Sequence, residues 1–385
     1  MKIAFQLAFK NLIGAGLRTW LNVIVLSFSF VIIIFFNGLI DGWNKQARVD
    51  SINWEYGHGQ LLNSNFDPLD PFTYQDGHAE LSADFTKNLT PVLVTQATLY
   101  PEGRMLSAVL KGIDPNQHVV MLPTDKFSND TTIISGIIGS RMAATANLKV
   151  GDKILVRWRD KNGTFDAADV TISAIFSTTV GTVDNGQVWI PITRLWKMTG
   201  LENEASYFIA NDAFEHTNID GWEFHSQQDL LKTLTEIIQT KKMSSSIMYI
   251  LLLAIALLAI FDTQVLSVFR RQREIGTYIS LGMTRTQVVG IFTVEGSMYS
   301  LFATVLGAIY GIPLLLFLSR NGIAMPEGMG DMGFSIADKI YPTYSIGLIL
   351  GTIALVVISA TIVSFLPSRK ISKMDPVDAL KGKVQ

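Results

Sequence analysis

Apolar residues run with almost no interruption in four places along this sequence. Leu21 to Ile40 and Tyr344 to Leu366 contain no charged residue, Ile247 to Phe269 contains only Asp262, and Val288 to Ser319 only Glu295. A helix needs about 20 such residues to cross a hydrocarbon core of ~30 Å. Four membrane spans are therefore predicted, at 19–41, 244–269, 288–319 and 344–366. The first is too long for the apolar core of a cleaved leader, and no A-x-A-like site follows it, so it reads as an uncleaved anchor. Before it, residues 1–18 (MKIAFQLAFKNLIGAGLR) mix apolar and polar positions at helical spacing. That pattern fits an amphipathic helix on the inner membrane surface, and equally an extension of the first span.

The stretch between the first two spans, 42–243, is patterned differently. Lys153–Trp158, Val170–Phe176 and Gln187–Ile190 are rich in β-branched and aromatic residues and read as strands, with turn signals at Gly151-Asp152 and Asn162-Gly163. Gly139–Leu148 and Ile192–Met198 read as short helices, and Gln228–Lys242 as a helix running on into the second span. Asn63–Tyr74, with two Asp-Pro pairs, reads as a loop. The expected fold is thus a membrane protein of four transmembrane α-helices with a large α+β domain inserted between helices 1 and 2. The remaining segments are a link at 270–287, a short loop at 320–343 and a tail at 367–385.

Composition agrees with that class. Of 385 residues 48% are hydrophobic and 17% charged, with a mean hydropathy of +0.31. The net charge of −2 provides no basic field for nucleic acid. With no cysteine there is no disulfide, thiolate metal site or cysteine nucleophile. Basic residues fix the expected orientation. Lys2, Lys10 and Arg18 precede span 1, Arg270, Arg271, Arg273 and Arg285 lie between spans 2 and 3, and Arg369, Lys370, Lys373, Lys381 and Lys383 follow span 4. The positive-inside rule puts all three groups, and both termini, in the cytoplasm, and the 42–243 insert outside it.

No phosphate-binding G-x-x-x-x-G-K-[ST] loop, H-E-x-x-H or G-x-S-x-G occurs. The histidines (58, 78, 118, 216 and 225) are scattered without metal spacing, so no metal site and no catalytic residue is expected. Asp262 and Glu295 fall in the cytoplasmic third of their spans, where a structural bond to a neighbouring helix is favoured over a proton relay. Ala303, Gly307 and Gly311 on span 3, and Gly347 and Gly351 on span 4, recur every four residues, a spacing that lets helices approach closely, within one subunit or between two. The link itself holds a basic cluster, a brief amphipathic helix over Ile275–Leu281, a stop at Gly282 and an N-cap at Thr284. It fits either a plain basic loop or an element that receives a push from a cytoplasmic partner.

RRQREIGTYISLGMTRTQVVGIF and the Glu that follows resemble the signature of FtsX/MacB-type permeases of ABC transporters. The match lies at Arg273, Glu274, Ile275, Gly276, Leu281, Gly282, Met283, Thr284, Arg285 and Glu295. LPSRKISKMDPVDALKG is similar to that family's second signature, at Pro367, Arg369, Asp375, Pro376, Val377, Ala379 and Leu380. Val109–Gln117 (VLKGIDPNQ) and Ile137–Val156 resemble segments of the lipoprotein-releasing branch, whereas Asp262 stands where the family usually has Asn. The resemblance implies a non-catalytic permease of the bacterial inner membrane. It would pair with a second permease subunit, as homo- or heterodimer, and with a separate cytoplasmic ATPase that binds ATP and magnesium. Contact with the ATPase is expected at Arg273, Glu274, Gly276, Tyr278, Ile279, Leu281, Gly282, Met283 and Arg285, and more weakly at Asp375, Pro376 and Leu380. The implied work is mechanotransmission that releases lipoproteins to a periplasmic carrier. The alternatives are MacB-like efflux through an adaptor and FtsX-like signalling to a cell-wall hydrolase.

Overall fold

A computed structural model describes residues 16–82, 86–130, 132–215, 218–324 and 339–373. The 1–18 helix and the tail residues Asp375, Pro376 and Leu380 fall wholly or mostly outside them. The chain divides into two compact units, one comprising Met1–Gly42, Ile238–Ile323 and Tyr341–Gln385, the other Trp43–Ile237 and Ala324–Ile340.

The first unit is built from apolar helices. Helix α1 spans Leu17–Ser51, and in the second unit α2 (Ser140–Ala146) and α3 (Ile192–Thr199) follow. Then come α4 (Lys232–Arg270), α5 (Gln272–Ser280), α6 (Arg285–Asn321) and α7 (Ile346–Ser368). Among the described residues, the helices containing the four apolar runs are long and apolar enough to cross a membrane. In hydrocarbon every backbone N–H and C=O must be satisfied within the segment, which only a continuous helix achieves here. Helix α1 continues well past the apolar run that ends at Ile40, because nothing in Asp41–Ser51 breaks it. It gives way to a π-turn at Ile52–Tyr56, closed by Gly57 at φ 56°. Helix α4 is continuous only from Lys232. The preceding Gln227–Leu230 is a separate turn with its own Ser226/Asp229 capping box, which corrects the single helix predicted from Gln228.

The helices share one core. Val23, Leu26 and Phe30 of α1 pack with Leu253, Ala256 and Ile260 of α4, Met298 and Ala303 of α6, and Val356 and Ala360 of α7. The span 3 glycine row is consumed within the chain: a Cβ on Gly311 would lie 2.8 Å from Val31, and one on Gly307 3.1 Å from Phe30. Gly347 and Gly351 of α7 show the same spacing in the opposite setting, since among the described residues a Cβ there meets nothing within 4 Å.

The second unit is a mixed sheet of nine strands. They are β1 Gly59–Asn63, β2 Leu89–Leu99, β3 Leu106–Ile113, β4 Ile134–Gly139, β5 Lys153–Arg159, β6 Phe165–Phe176, β7 Gln187–Pro191, β8 Tyr207–Ala210 and β9 Trp222–Ser226. Their order is β9-β1-β8-β2-β3-β7-β4-β6-β5, and a further β5–β2 pairing closes six of them into a ring. Pairs β3–β7 and β4–β6 are parallel and the other strand pairs antiparallel. Several strands are buried on both faces. Leu93, Leu110 and Ile138 enter one core, while Val92, Val94 and Ile137 enter a second. Asn63–Tyr74 is not wholly loop: Pro71–Gln75 forms a 3-10 turn whose first N–H groups are capped by Asp70.

Two buried charges organise this unit. Lys111 on β3 donates to Tyr207 Oη at 3.4 Å and lies 5.0 Å from the Trp189 ring centre and 5.6 Å from that of Tyr207. Burial pushes the lysine pKa down while the Glu55 carboxylate opposes it, and burial likewise drives the Tyr207 phenol well up. Asp184, 1% exposed, caps α2: it accepts from Ser140 N at 2.8 Å, Ser140 Oγ at 3.2 Å and Arg141 N at 3.3 Å, and pairs with Arg141 Nε at 3.4 Å. Asp184→Ala would strand these donors, so it is expected to destabilise the unit by about 2–4 kcal/mol. Tryptophan fluorescence of the full chain during thermal unfolding checks this, since Trp189 is buried in the same unit.

Candidate functional site

The link between α4 and α6 is a folded element. Helix α4 ends at Arg270, the chain turns at Arg271, and α5 begins at Gln272. Helix α5 is amphipathic. Gln272, Ile275 and Gly276 are buried, while Arg273, Glu274 and Thr277 are exposed. Ile275 enters a small core with Val268 of α4, Val288, Val289 and Phe292 of α6, and Ile371 of the segment after α7. Tyr278, Ile279 and Met283 pack against its edge. The helix stops at Gly282, whose φ of 96° lies in the region L side chains avoid. Helix α6 then starts on a reciprocal capping box, with Thr284 Oγ1 accepting from Gln287 N and Gln287 Oε1 from Thr284 N.

An ion pair locks this element to the bundle. Both oxygens of Glu295, two to three turns into α6, accept from Arg271 Nη1 at 2.9 and 2.7 Å. Arg271 Nε also donates to Glu274 at 2.6 Å, and its guanidinium sits 4.7 Å from the Phe292 ring centre. The Arg271 and Glu295 side chains are 18% and 10% exposed, so the pair is held largely out of water. Charge-assisted contacts of this kind are strong, and removing one partner leaves the other charge poorly solvated. Beside the clamp, the same end of the bundle is knit by a polar contact and a close helix approach. Asn22 Nδ2 of α1 donates to Thr263 Oγ1 of α4 at 2.5 Å. Gly296 of α6 lies so close to Ser364 of α7 that a Cβ would meet its Oγ at 2.2 Å.

The residues expected at a partner interface therefore fall into two groups. Arg273, Glu274, Leu281, Gly282 and Arg285 are exposed. Gly276 is buried, and Tyr278, Ile279 and Met283 are half-buried in the α5 core, where they shape and seat the element. Leu281, 78% exposed, is the apolar tip. Of the intramembrane carboxylates, Glu295 is the inward half of the clamp, whereas Asp262 is exposed on the surface of α4. The pairing partner Arg271 was not singled out by the motif. Its signal lay in the topology, as a basic residue at the membrane face at about the depth of an intramembrane carboxylate.

Residues 246–376 match the model of the FtsX-like permease C-terminal domain. The chain is 22% identical to a macrolide export ATP-binding/permease protein MacB of Acinetobacter baylyi, over 98% of this chain and 59% of that one. It is 22% identical to the lipoprotein-releasing system transmembrane protein LolC of Xylella fastidiosa, over 76% of each. It is 23% identical to a MacB 2 of Yersinia pestis, over 80% of this chain and 47% of that one. The chain thus spans only about half to three fifths of these MacB relatives. Residues 246–376 thus carry an FtsX-like permease C-terminal domain between and around apolar helices long enough to cross a membrane, in a chain similar to MacB and LolC proteins.

Proposed function

We propose that this chain is a permease subunit driven by a separate cytoplasmic ATPase through α5, and that it lifts acylated proteins out of the inner membrane toward a periplasmic carrier. The observation that carries the first part is the keyed link: a short helix with an exposed apolar tip, fixed at its base by the Arg271–Glu295 clamp. A push on Leu281 and its exposed neighbours reaches α4 and α6 together, because α5 is clamped to one and follows the other with no flexible spacer. ATP and magnesium belong to the partner. The basic flanks put α5 and both termini in the cytoplasm and the 42–243 unit in the periplasm.

A second permease subunit completes the assembly. Asp262 is exposed on α4 within an apolar stretch, and Leu258 one turn before it is 67% exposed. A carboxylate on a lipid-facing surface is unfavourable even in the cytoplasmic third of a span, so a subunit seam over this face is favoured.

The lipoprotein cargo is supported by the LolC relative, matched over 76% of both lengths. Efflux is the second reading, supported by the MacB relative that aligns with 98% of this chain. Depletion in the native host separates them. Retention of acylated proteins in the inner-membrane fraction is expected. A normal distribution of lipoproteins together with new macrolide sensitivity would replace the first reading by the second.

A further inference from the structure

The helical unit has a lateral groove that none of the contacts above uses. It is a cavity of about 640 Å³ between α1, α4 and α7, with Ile33 and Leu253 in its floor and Gly347, Gly351 and Leu355 along one edge. It lies toward the end of the bundle opposite Arg271, since it is lined from Ser246 to Leu257 on α4 and from Gly347 to Ser359 on α7. Those stretches are twelve and thirteen residues, about 16–18 Å from first to last at 1.5 Å per step. That is close to half of the ~30 Å hydrocarbon core, the depth of one leaflet.

The lining is graded along this length. Its walls are mostly apolar, and the hydroxyls of Ser246 and Thr352 are turned back onto carbonyls of their own helices, Lys242 O and Leu348 O, both at 2.8 Å. Tyr249 is the exception. It lines the groove near its outer end, is 8% exposed, and its hydroxyl, beside Ser245, makes no hydrogen bond of proper geometry. A buried hydroxyl without a partner in an apolar wall is unfavourable unless something supplies an acceptor. One turn beyond Ser246, at the rim, Lys242 Nζ pairs with Asp41 at 2.6 Å. The groove is thus about one leaflet long and mostly apolar, with the poorly bonded Tyr249 hydroxyl near its mouth, Ser359 at its inner end and a charged rim. Those are the dimensions and polarity of one membrane lipid tail and its ester.

We propose that this groove is a binding site for a phospholipid of the adjoining leaflet, one acyl chain lying along Gly351 and Leu253 and an ester oxygen accepting from Tyr249 Oη. Volume and lining fall in the range of pre-formed small-ligand sites. The site does not depend on which cargo the permease moves. Gly347 and Gly351 are small because the acyl chain lies over them, and a Cβ on either would meet no described residue within 4 Å, unlike the row of α6.

The test uses the full chain in lipid nanodiscs containing a trace of phosphatidylcholine with a diazirine on its acyl chain. After irradiation, labelled peptides are expected to concentrate on 246–257 and 347–359 rather than on the outward face of α6 around Ile309 and Ile312, both exposed. Gly351→Leu has room for its side chain and should cut that labelling by about tenfold, and Gly347→Leu should act alike should the first variant misfold. Tyr249→Phe should cut it by about fivefold, the loss of one hydrogen bond in an apolar site. Label spread evenly over all outward faces would reduce the groove to ordinary boundary lipid and overturn the proposal. So would disulfide-linked dimers of Gly347→Cys, because this chain has no other cysteine and such a bond would seat a second copy in the groove. Displacement of the label by a triacylated lipopeptide, but not by excess phospholipid, would overturn it in favour of cargo.

Discussion

Leu281→Asp is expected to abolish capture of the partner ATPase while leaving membrane insertion and both folded units unchanged. Leu281 is 78% exposed, and it is the one large apolar side chain so exposed between Arg271 and Met298. It follows the last turn of α5, where its N–H closes onto Thr277 O at 3.0 Å and Gly282 turns the chain away. The side chain therefore makes little contact within the chain, and its replacement removes almost nothing from the folded state. At an interface, a central apolar anchor of this kind contributes about 2 kcal/mol or more, a factor of about 30 in affinity. Aspartate puts a charge where an apolar pocket of the partner would close over the tip, and it cancels local positive charge beside Arg273 and Arg285. Leu281→Met should retain binding. Co-purification of the ATPase at wild-type yield with Leu281→Asp would remove α5 as the driven element. Gly282→Pro would be a blunter probe, because φ of 96° is closed to proline and the variant would distort the turn itself.

The parts of this structure that the sequence disclosed are those where physics leaves one solution. A charge-free run such as Leu21–Ile40 has no alternative to a helix in lipid, so its existence was legible, although its end was not. Helix α1 runs on to Ser51 because helix termination depends on a breaker, and the first one is the turn at Gly57. Strands β5, β6 and β7 were legible from β-branched residues between turn signals. Strands β2 and β3 were not, because LTPVLVTQATL and LSAVLKGI are buried on both faces and lack the alternation that marks a half-exposed strand. The two glycine rows make the same point for side chains. Their spacing is identical, yet Gly307 and Gly311 are filled by Phe30 and Val31 while Gly347 and Gly351 stand open. Spacing reports that a close approach is allowed, and only the neighbouring helix decides whether it is used. In the site, the order of residues in the link was visible, whereas the clamp joins positions separated by 24 in sequence and needed the turn at Arg271 to bring them together.

Glu295→Gln is expected to separate ATP hydrolysis from transport. The substitution keeps the shape of the side chain and removes its charge, leaving Arg271 with Glu274, which is 52% exposed and correspondingly weak. Breaking one half of a largely buried pair destabilises by about 3 kcal/mol, because the surviving guanidinium remains in a poorly hydrated position against Phe292. The cost falls on the base of α5, so the element should loosen from α6 while its tip stays competent to bind. The ATPase should therefore still co-purify and still hydrolyse ATP in reconstituted vesicles, with cargo release reduced at least about tenfold, the factor that 1.4 kcal/mol of lost coupling represents. Arg271→Leu with Glu295→Leu should recover much of the thermal stability, since replacing both members of such a pair by apolar residues is often neutral, but should not recover release. A cycle of the two single variants and the double variant measures the clamp directly, and strong non-additivity is expected for groups in contact. Additive effects on stability, or unimpaired release by Glu295→Gln, would show that α5 is held by its apolar core of Val268, Ile275 and Phe292 alone, and that the ion pair has no part in transmission.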